Sequence, residues 1–516
     1  MLFRPRALAS QALHQPGIRA LLVLFVLVSL YAVYGSLFFY RDPLSIFFSP
    51  RHGFDQFYSA VRKAEADAFL DAVLADPDPD FNPDSGFGLH TRPSASHLPG
   101  KAGDDPQICA VFITVGRKME GRQYIDTAVG SFLANMTRAE RAAVHLKLFF
   151  ADVPDPAAQH PSFAKLSGSR ASSTDTDTDA DTGIRIADEV FTYNSTLPPT
   201  SDRDRTVAKL AGWASDRGNK HALERKTVHD YAYAMDRCAR DTDAPYIALF
   251  EGDILLADGW AARTLLNLRA LEAMMRDPRR RDPERGRVEP GRPNSWLYLR
   301  LFNQERSTGW SGGTGFRSNN AHIISAGVAI PLFFVLLAVR RSSGRSRRPG
   351  SWSPSPLRRH LDLWTLVVIC FVAVPLWTWL FFASGKASVL GAPAPGTVRE
   401  EFFGCCNQAL VYNRAHAGPL ATSMLDAAVR RSSPGRSDML PKVFARDRGL
   451  ARVSAYPMLA QHLGRVSAID TSGDEAMRVW SMAFENLDRE ALARGHRRDV
   501  RELWGEEAAL ELEGER

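Results

Sequence analysis

An apolar run ends in two carboxylates separated by one glycine. In IALFEGDILLADGW, residues 247–260, Glu251 and Asp253 stand where a buried strand stops. Oxygen ligands of this kind suit a hard divalent cation, Mn2+ or Mg2+. Gly252 keeps the turn between them tight and lets a phosphate approach the backbone. A cation held there bridges a diphosphate and neutralises charge on a departing nucleotide. The same triplet also suits an N-cap before a following turn, so its meaning depends on the elements around it.

Those elements alternate. Residues 109–118, CAVFITVGRK, read as a buried strand ending in a polar turn. A helix is expected over 124–144, strands over 145–153 and 184–193, an amphipathic helix over 224–241, the strand 246–250 and a helix over 260–275. Residues 295–311 read as a further strand and turn, and soluble structure resumes at 400–414. This order predicts an α/β fold, a mostly parallel sheet flanked by helices, which binds ligands at the carboxyl ends of its strands. Glu251 and Asp253 fall at such an end. The tract 167–183 carries Asp175, Asp177, Asp179 and Asp181 but misses calcium-loop spacing, since its glycine comes one residue late, and it reads as a solvated loop.

Three uncharged apolar runs, 20–40, 321–339 and 363–383, each approach the about 20 residues that cross a bilayer. Arginines lie before the first run, with no acid, and between the second and third, with Asp362 the one acid. The positive-inside rule then puts 1–19 and the basic loop 340–362 in the cytosol, and 41–320 and 384–516 together on the other side. The expected organisation is a cytosolic tail (1–19), an anchor (20–40) and a lumenal stem (41–108). A first catalytic part (109–320), a membrane hairpin (321–339 and 363–383, joined by 340–362), a second part (384–480) and a charged helical tail (481–516) follow. The net charge of +6 does not indicate nucleic acid, because many arginines fall in two local clusters, 276–292 and 340–359. Asn135 and Asn194 open acceptor triplets for N-glycans in a secretory lumen. Cys109, Cys238, Cys405 and Cys406 would share an oxidising compartment, so one or two disulfides are expected, with the pairing open.

The anchor, the strand ending ITVGRK, the helix feeding YIALFEGDILLADGW and the late YPMLAQHLGRVSA together resemble GT-A glycosyltransferases. With a membrane hairpin inside the catalytic part and the segment FFGCCNQALVYNR, the chain resembles the Golgi GPI-GalNAc transferases over about residues 20 to 470. These add a side-chain sugar to the glycan of GPI-anchored proteins. The resemblance implies a metal-dependent inverting transferase of the Golgi membrane, with a UDP-sugar donor, UDP-GalNAc, and a GPI mannose as acceptor. It implies Glu251 and Asp253 as metal ligands, although Gly252 departs from the usual acidic middle residue. His462 would complete the metal shell or else be a packed histidine. Thr114, Arg117 and Asp152 would face the nucleotide. Lys226 and Asp230 would contact the donor or form a plain ion pair on one helix face. The general base would be Asp438, which also suits an N-cap, or else Glu401. A UDP-GlcNAc or UDP-galactose transferase acting on N-glycans, and a non-catalytic GPI-binding membrane protein, remain as alternatives.

Overall fold

A computed structural model describes residues 15–75, 105–117, 122–167, 186–197, 201–216, 218–276, 295–305, 310, 320–342, 360–391, 396–401, 406–464 and 479–513. The Asp-rich residues 175–181, the basic residues 277–292, most of the basic loop 340–362 and Cys405 fall outside these. The chain divides into two units, Met1–Asp55 with Glu305–Ala392, and Gln56–Gln304 with Pro393–Arg516.

The first unit holds three helices long and apolar enough to cross a membrane, Pro16–Phe38, Ala321–Ser342 and Leu363–Ala383. The third passes through a π-helical stretch, Val368–Ala373, just before Pro375. Proline has no backbone N–H and forces the ladder to rearrange. Tyr31 on the first helix meets Ser384 at 2.6 Å. The buried carboxylate of Asp42 accepts from the Ser388 amide at 3.0 Å and from its hydroxyl at 3.1 Å. These polar contacts fasten the first helix to the end of the third.

The second unit is a mixed α/β body around an eight-stranded, mostly parallel sheet. Its strands are β1 (Ile108–Thr114), β2 (Val144–Phe150), β3 (Glu189–Thr192), β4 (Tyr246–Glu251), β6 (Ser295–Arg300), β7 (Thr397–Glu400), β8 (Ala409–Asn413) and β9 (Leu450–Tyr456). A separate two-stranded ribbon pairs β5 (Ile254–Leu256) with β10 (Ala460–His462). The sheet order is β3-β2-β1-β4-β8-β6-β9-β7. β1 runs parallel to both β2 and β4, and β6 runs parallel to β9. β8 runs antiparallel between β4 and β6, and β7 is an antiparallel edge. Strands from before and after the apolar hairpin thus share one sheet, so they lie on one side of any membrane.

Every residue of β1 is buried, as a strand covered on both faces requires. Ile108, Ala110 and Phe112 face the helices Tyr58–Ala75, Tyr124–Leu133 and Trp260–Arg276. Cys109, Val111 and Ile113 face the helices Lys220–Asp241 and Arg414–Arg430. Cys109 is bonded to Cys238 of the first of these helices, with 5.8 Å between Cα atoms. Cys406 is also disulfide-bonded, and Cys370 is free.

The expected helix over 124–144 is two helices. The first stops at Leu133, and Asn135 takes a left-handed φ of 65°. Thr137 then caps the short helix Arg138–Ala142 in a reciprocal capping box with Glu140. The helix Tyr58–Ala75, within the span 41–108 read as a stem, packs into the sheet unit: buried Arg62 donates to the carbonyls of Leu256, Ser131 and Ala134 at 3.0, 2.9 and 3.1 Å.

Candidate active site at the ends of β1 and β4

Chain order reverses between β1 and β4: β2 and β3 lie on one side of β1, and β4 lies on the other. Such a switch point opens a crevice beyond the carboxyl ends of the two strands. Residues 114–117 leave β1 there, and residues 251–253 leave β4.

Gly252 belongs to this crossing. Its amide donates to the Ile113 carbonyl at 3.0 Å. A Cβ on it would stand 2.9 Å from Thr114 Oγ1 and 3.0 Å from Thr114 Cβ. The close approach of the two strand ends therefore requires glycine between the acids.

Asp253 is the centre of the cluster. Arg117 Nη2 donates to its Oδ2 at 2.6 Å, and His462 Nε2 donates to the same oxygen at 3.2 Å. Asp253 Oδ1 is buried and has no hydrogen-bond partner. Burial alone would raise this carboxyl, but the charges of His462 and Arg117 outweigh it and hold Asp253 well below the usual carboxylate range. Burial likewise opposes charge on His462, and Asp253 followed by Glu251 raises it nonetheless. Glu251 moves the opposite way to Asp253: burial and then the charge of Asp253 push it up, against the hydrogen bond from the Tyr231 hydroxyl. Two acids one residue apart thus differ, one held ionised and one biased towards its neutral form.

The ribbon brings His462 in. Ile254 pairs with His462, and the Leu463 amide donates to the Asp253 carbonyl at 2.8 Å. Gly464 then passes so close that a Cβ would lie 2.5 Å from Asp253 Oδ2. The three-residue strands and Tyr231 were not foreseen, since so short a strand carries no period and a lone tyrosine in a helix carries no signal.

Among the described residues, no group of three or more His, Cys, Asp or Glu side chains forms a metal-holding set. The fit to a divalent cation rests on fewer ligands. Asp253 offers a bare buried oxygen, and His462 would add a nitrogen beside it on giving up the Nε2 proton it donates to Asp253. Mg2+-type ions commonly take one or two protein ligands and complete their shell with substrate phosphates and water. Asp253 and His462 fit such an ion, with Glu251 close by. Arg117 supplies positive charge to the same carboxylate in its absence.

Thr114 is taken up within the fold. His160 Nδ1 accepts from the Ser162 amide at 3.2 Å, so Nε2 carries the proton and donates to Thr114 Oγ1 at 2.9 Å. Burial lowers His160 to about 4, which keeps it neutral. Asp152 caps the next strand end, accepting from the Gly116 amide at 2.9 and 3.1 Å, and burial lifts its carboxyl to about 6. Lys226 donates to the Ala151 carbonyl at 2.8 Å and to Asp230 at 2.6 and 2.7 Å, and the Tyr193 hydroxyl adds 2.6 Å to Asp230. Of the two readings for Lys226 and Asp230, the geometry is that of a buried ion pair bracing β2.

The two base candidates lie toward β6 and β9. Glu401 accepts from Asn303 Nδ2 and, at 3.4 Å, from the Tyr456 hydroxyl, with Arg300 Nε at 4.0 Å. Asp438 accepts from Arg436 Nε at 3.2 Å. It does not cap the helix Leu440–Asp447, whose N-cap position is Met439. Burial lowers the Lys442 ammonium, which the charge of Asp438 opposes and that of Arg300 reinforces. Asn194 is exposed and donates to the Pro154 carbonyl at 2.8 Å. Asn135 is half-buried and donates to Asp258 at 3.2 Å.

No family model and no curated protein matches the chain.

Proposed function

We propose that the chain is a UDP-sugar-dependent inverting glycosyltransferase of GT-A type, acting on a glycan at a membrane surface. The observation that carries this reading is the Asp253 carboxylate at the β1–β4 switch point, shared by Arg117 and His462 and bare on its second oxygen.

Arg117 offers a guanidinium to the diphosphate of a bound nucleotide sugar, where its planar fork suits phosphate oxygens. Asp253 and His462 would hold Mn2+ or Mg2+, which supplies charge neutralisation on the leaving diphosphate. Glu401, oriented by Asn303 and Tyr456, takes the proton from an acceptor hydroxyl, with Asp438 as the second candidate. The hydroxyl oxygen then bonds to the anomeric carbon, the bond from that carbon to the diphosphate oxygen breaks, and UDP leaves with the electron pair. One displacement inverts the anomeric centre and needs no covalent intermediate.

The three apolar helices fit an acceptor fixed to lipid. A GPI glycan begins at the head-group surface, and spans on both sides of the catalytic strands keep the enzyme at that surface. The reading is therefore transfer of GalNAc from UDP-GalNAc to a mannose of GPI-anchored proteins, in the Golgi. Mass analysis of GPI glycans from cells lacking the protein tests it. Loss of a HexNAc side branch is the expected result, and unaltered glycans would refute it. Arg117 on Asp253 also suits a non-catalytic binder, and radiolabelled transfer by purified protein separates the two.

A further inference from the structure

The two acceptor triplets for N-glycans, Asn135-Met136-Thr137 and Asn194-Ser195-Thr196, look alike in sequence and have opposite settings in the fold.

The first is built into a junction. Asn135 is half-buried and takes a left-handed φ of 65° just after the helix Tyr124–Leu133. Asparagine is among the few residues with a side chain that tolerate that region. Its Nδ2 donates to Asp258 Oδ1 at 3.2 Å. The same Oδ1 lies 3.7 Å from Nδ1 of buried His496, on the helix Arg489–Trp504, and His496 Nε2 lies 2.8 Å from Glu140 Oε2. Thr137, third in the triplet, is buried, and its hydroxyl donates to that Glu140 oxygen at 3.1 Å. The Arg138 amide donates to Glu511 Oε2 at 2.8 Å. A sugar on Asn135 Nδ2 would enter the contact between residues 135–140 and the C-terminal helices and keep them from seating.

The second triplet stands clear. Asn194 and Ser195 are exposed, just beyond the carboxyl end of β3, the outermost strand on its side of the sheet. Asn194 lines a groove of about 480 Å³ with Pro154 and with Arg203, Asp204, Val207 and Ala208 of the helix Ser201–Ser215. That volume accommodates a sugar ring, and the mixture of apolar and charged walls suits its C–H faces and hydroxyls. Asn194 Nδ2 donates to the Pro154 carbonyl at 2.8 Å in an exposed contact. An amide nitrogen carries two N–H groups, so a bond to sugar uses one and leaves the other for Pro154. The turn itself is held by Thr192 and Ser195, each side chain accepting from the other's amide at 3.0 and 2.8 Å, without help from the Asn194 amide.

We propose that the folded protein carries an N-linked glycan on Asn194 and none on Asn135. In this modification Nδ2 bonds to the anomeric carbon of an oligosaccharide borne on a lipid diphosphate. Nδ2 gives up one proton, the bond from that carbon to the diphosphate oxygen breaks, and the lipid diphosphate leaves with the electron pair. The assignment goes beyond the transferase reading and shares with it the lumenal placement of residues 41–320.

The test uses the full chain, made in eukaryotic cells and purified in detergent as the monodisperse fraction, with a reporter triplet Asn-Gly-Thr added after Arg516. Peptide-N-glycosidase in heavy-oxygen water turns each formerly modified asparagine into a labelled aspartate, which peptide mass mapping locates. Label is expected at the reporter and at Asn194 and is expected to be absent at Asn135. On a gel Asn194→Gln should run lighter by one glycan. Asn135→Gly, which keeps the left-handed turn, should run with the parent chain. A labelled reporter beside a bare Asn194 overturns the assignment and leaves the transferase reading standing. Label at Asn135 in the folded fraction overturns it as well. A bare reporter removes the lumenal placement, because the shared sheet puts residues 41–320 and 384–516 on one side, and both readings fall with it.

Discussion

His462 Nε2 lies 3.2 Å from Asp253 Oδ2 although 209 residues separate the two in sequence. The approach is made by backbone pairing of β10 with β5, so the position of the imidazole does not depend on a flexible side chain alone. Asp253→Asn keeps the shape and removes the charge. Transfer activity should fall by about 100-fold or more, the scale for loss of a preorganised electrostatic group. Arg117→Gln should chiefly raise KM for the donor, by about tenfold, while Arg117→Lys recovers only part of it because it lacks the planar fork. Initial rates against UDP-sugar concentration check both, and unchanged kinetics in Asp253→Asn would remove the site from the mechanism.

Gly252→Ala should act on the fold and the site together. The added methyl meets Thr114 at 2.9–3.0 Å, in the backbone turn that closes the β1–β4 crevice. Overpacking of this kind costs about 1–3 kcal/mol. Gly464→Ala puts its methyl on Asp253 Oδ2 and should cost activity more than stability. Melting curves and transfer rates measured on both variants distinguish the two effects.

Stability should fall at alkaline pH through His496. This buried imidazole, on the helix Arg489–Trp504, lies 2.8 Å from Glu140 and 3.7 Å from Asp258. Burial opposes its charge, but Glu140 and then Asp258 outweigh burial and lift it to about 9 from 6.5, with Arg62 opposing. A raised value means the folded state binds the proton more tightly than the unfolded one. The contribution is full below about pH 6.5 and is lost as pH rises through about 9, amounting at most to about 3 kcal/mol. Melting temperatures from pH 6 to 10 should decline for the wild type, and His496→Gln should flatten that decline.

Peptide mapping without reductant should recover Cys109 linked to Cys238. The bond joins β1 to its covering helix and closes a separation of 129 residues. Removing it by the Cys109→Ala, Cys238→Ala double variant should cost about 2–4 kcal/mol in denaturant unfolding. An equal midpoint for both proteins would show that packing alone holds that helix.

Much of this architecture is legible in the sequence because central strands are covered on both faces. CAVFIT and YIALF are unbroken apolar runs, and their abrupt polar ends point to the edge where Thr114, Glu251 and Asp253 emerge. Lys226 and Asp230 were legible as a pair by helical spacing alone. What escaped was set by contacts distant in sequence. The β5–β10 ribbon is three residues wide, and only its antiparallel register shows that His462 faces Asp253. The glycine between the acids reads locally as a tight turn, but its reason is the Thr114 side chain across the crevice. The break at Asn135 also escaped, since an apolar helical pattern continues past it until Thr137 and Glu140 cap a new start. Cysteine pairing was open for a related reason: only the sheet's layering brings residue 238 over residue 109.

In the finished sheet β6 sits between β8 and β9, yet both neighbours are synthesised only after the apolar hairpin. A ribosome that has made residues 1–300 has delivered a strand with two open edges. Neither edge can be closed until the apolar hairpin, whose helices are long enough to cross a bilayer, has also been made. Making the hairpin is thus a precondition for completing the sheet, and a chain stalled there leaves a sticky strand for chaperones and proteases to recognise. Synthesis of the apolar hairpin and completion of the sheet become one checkpoint.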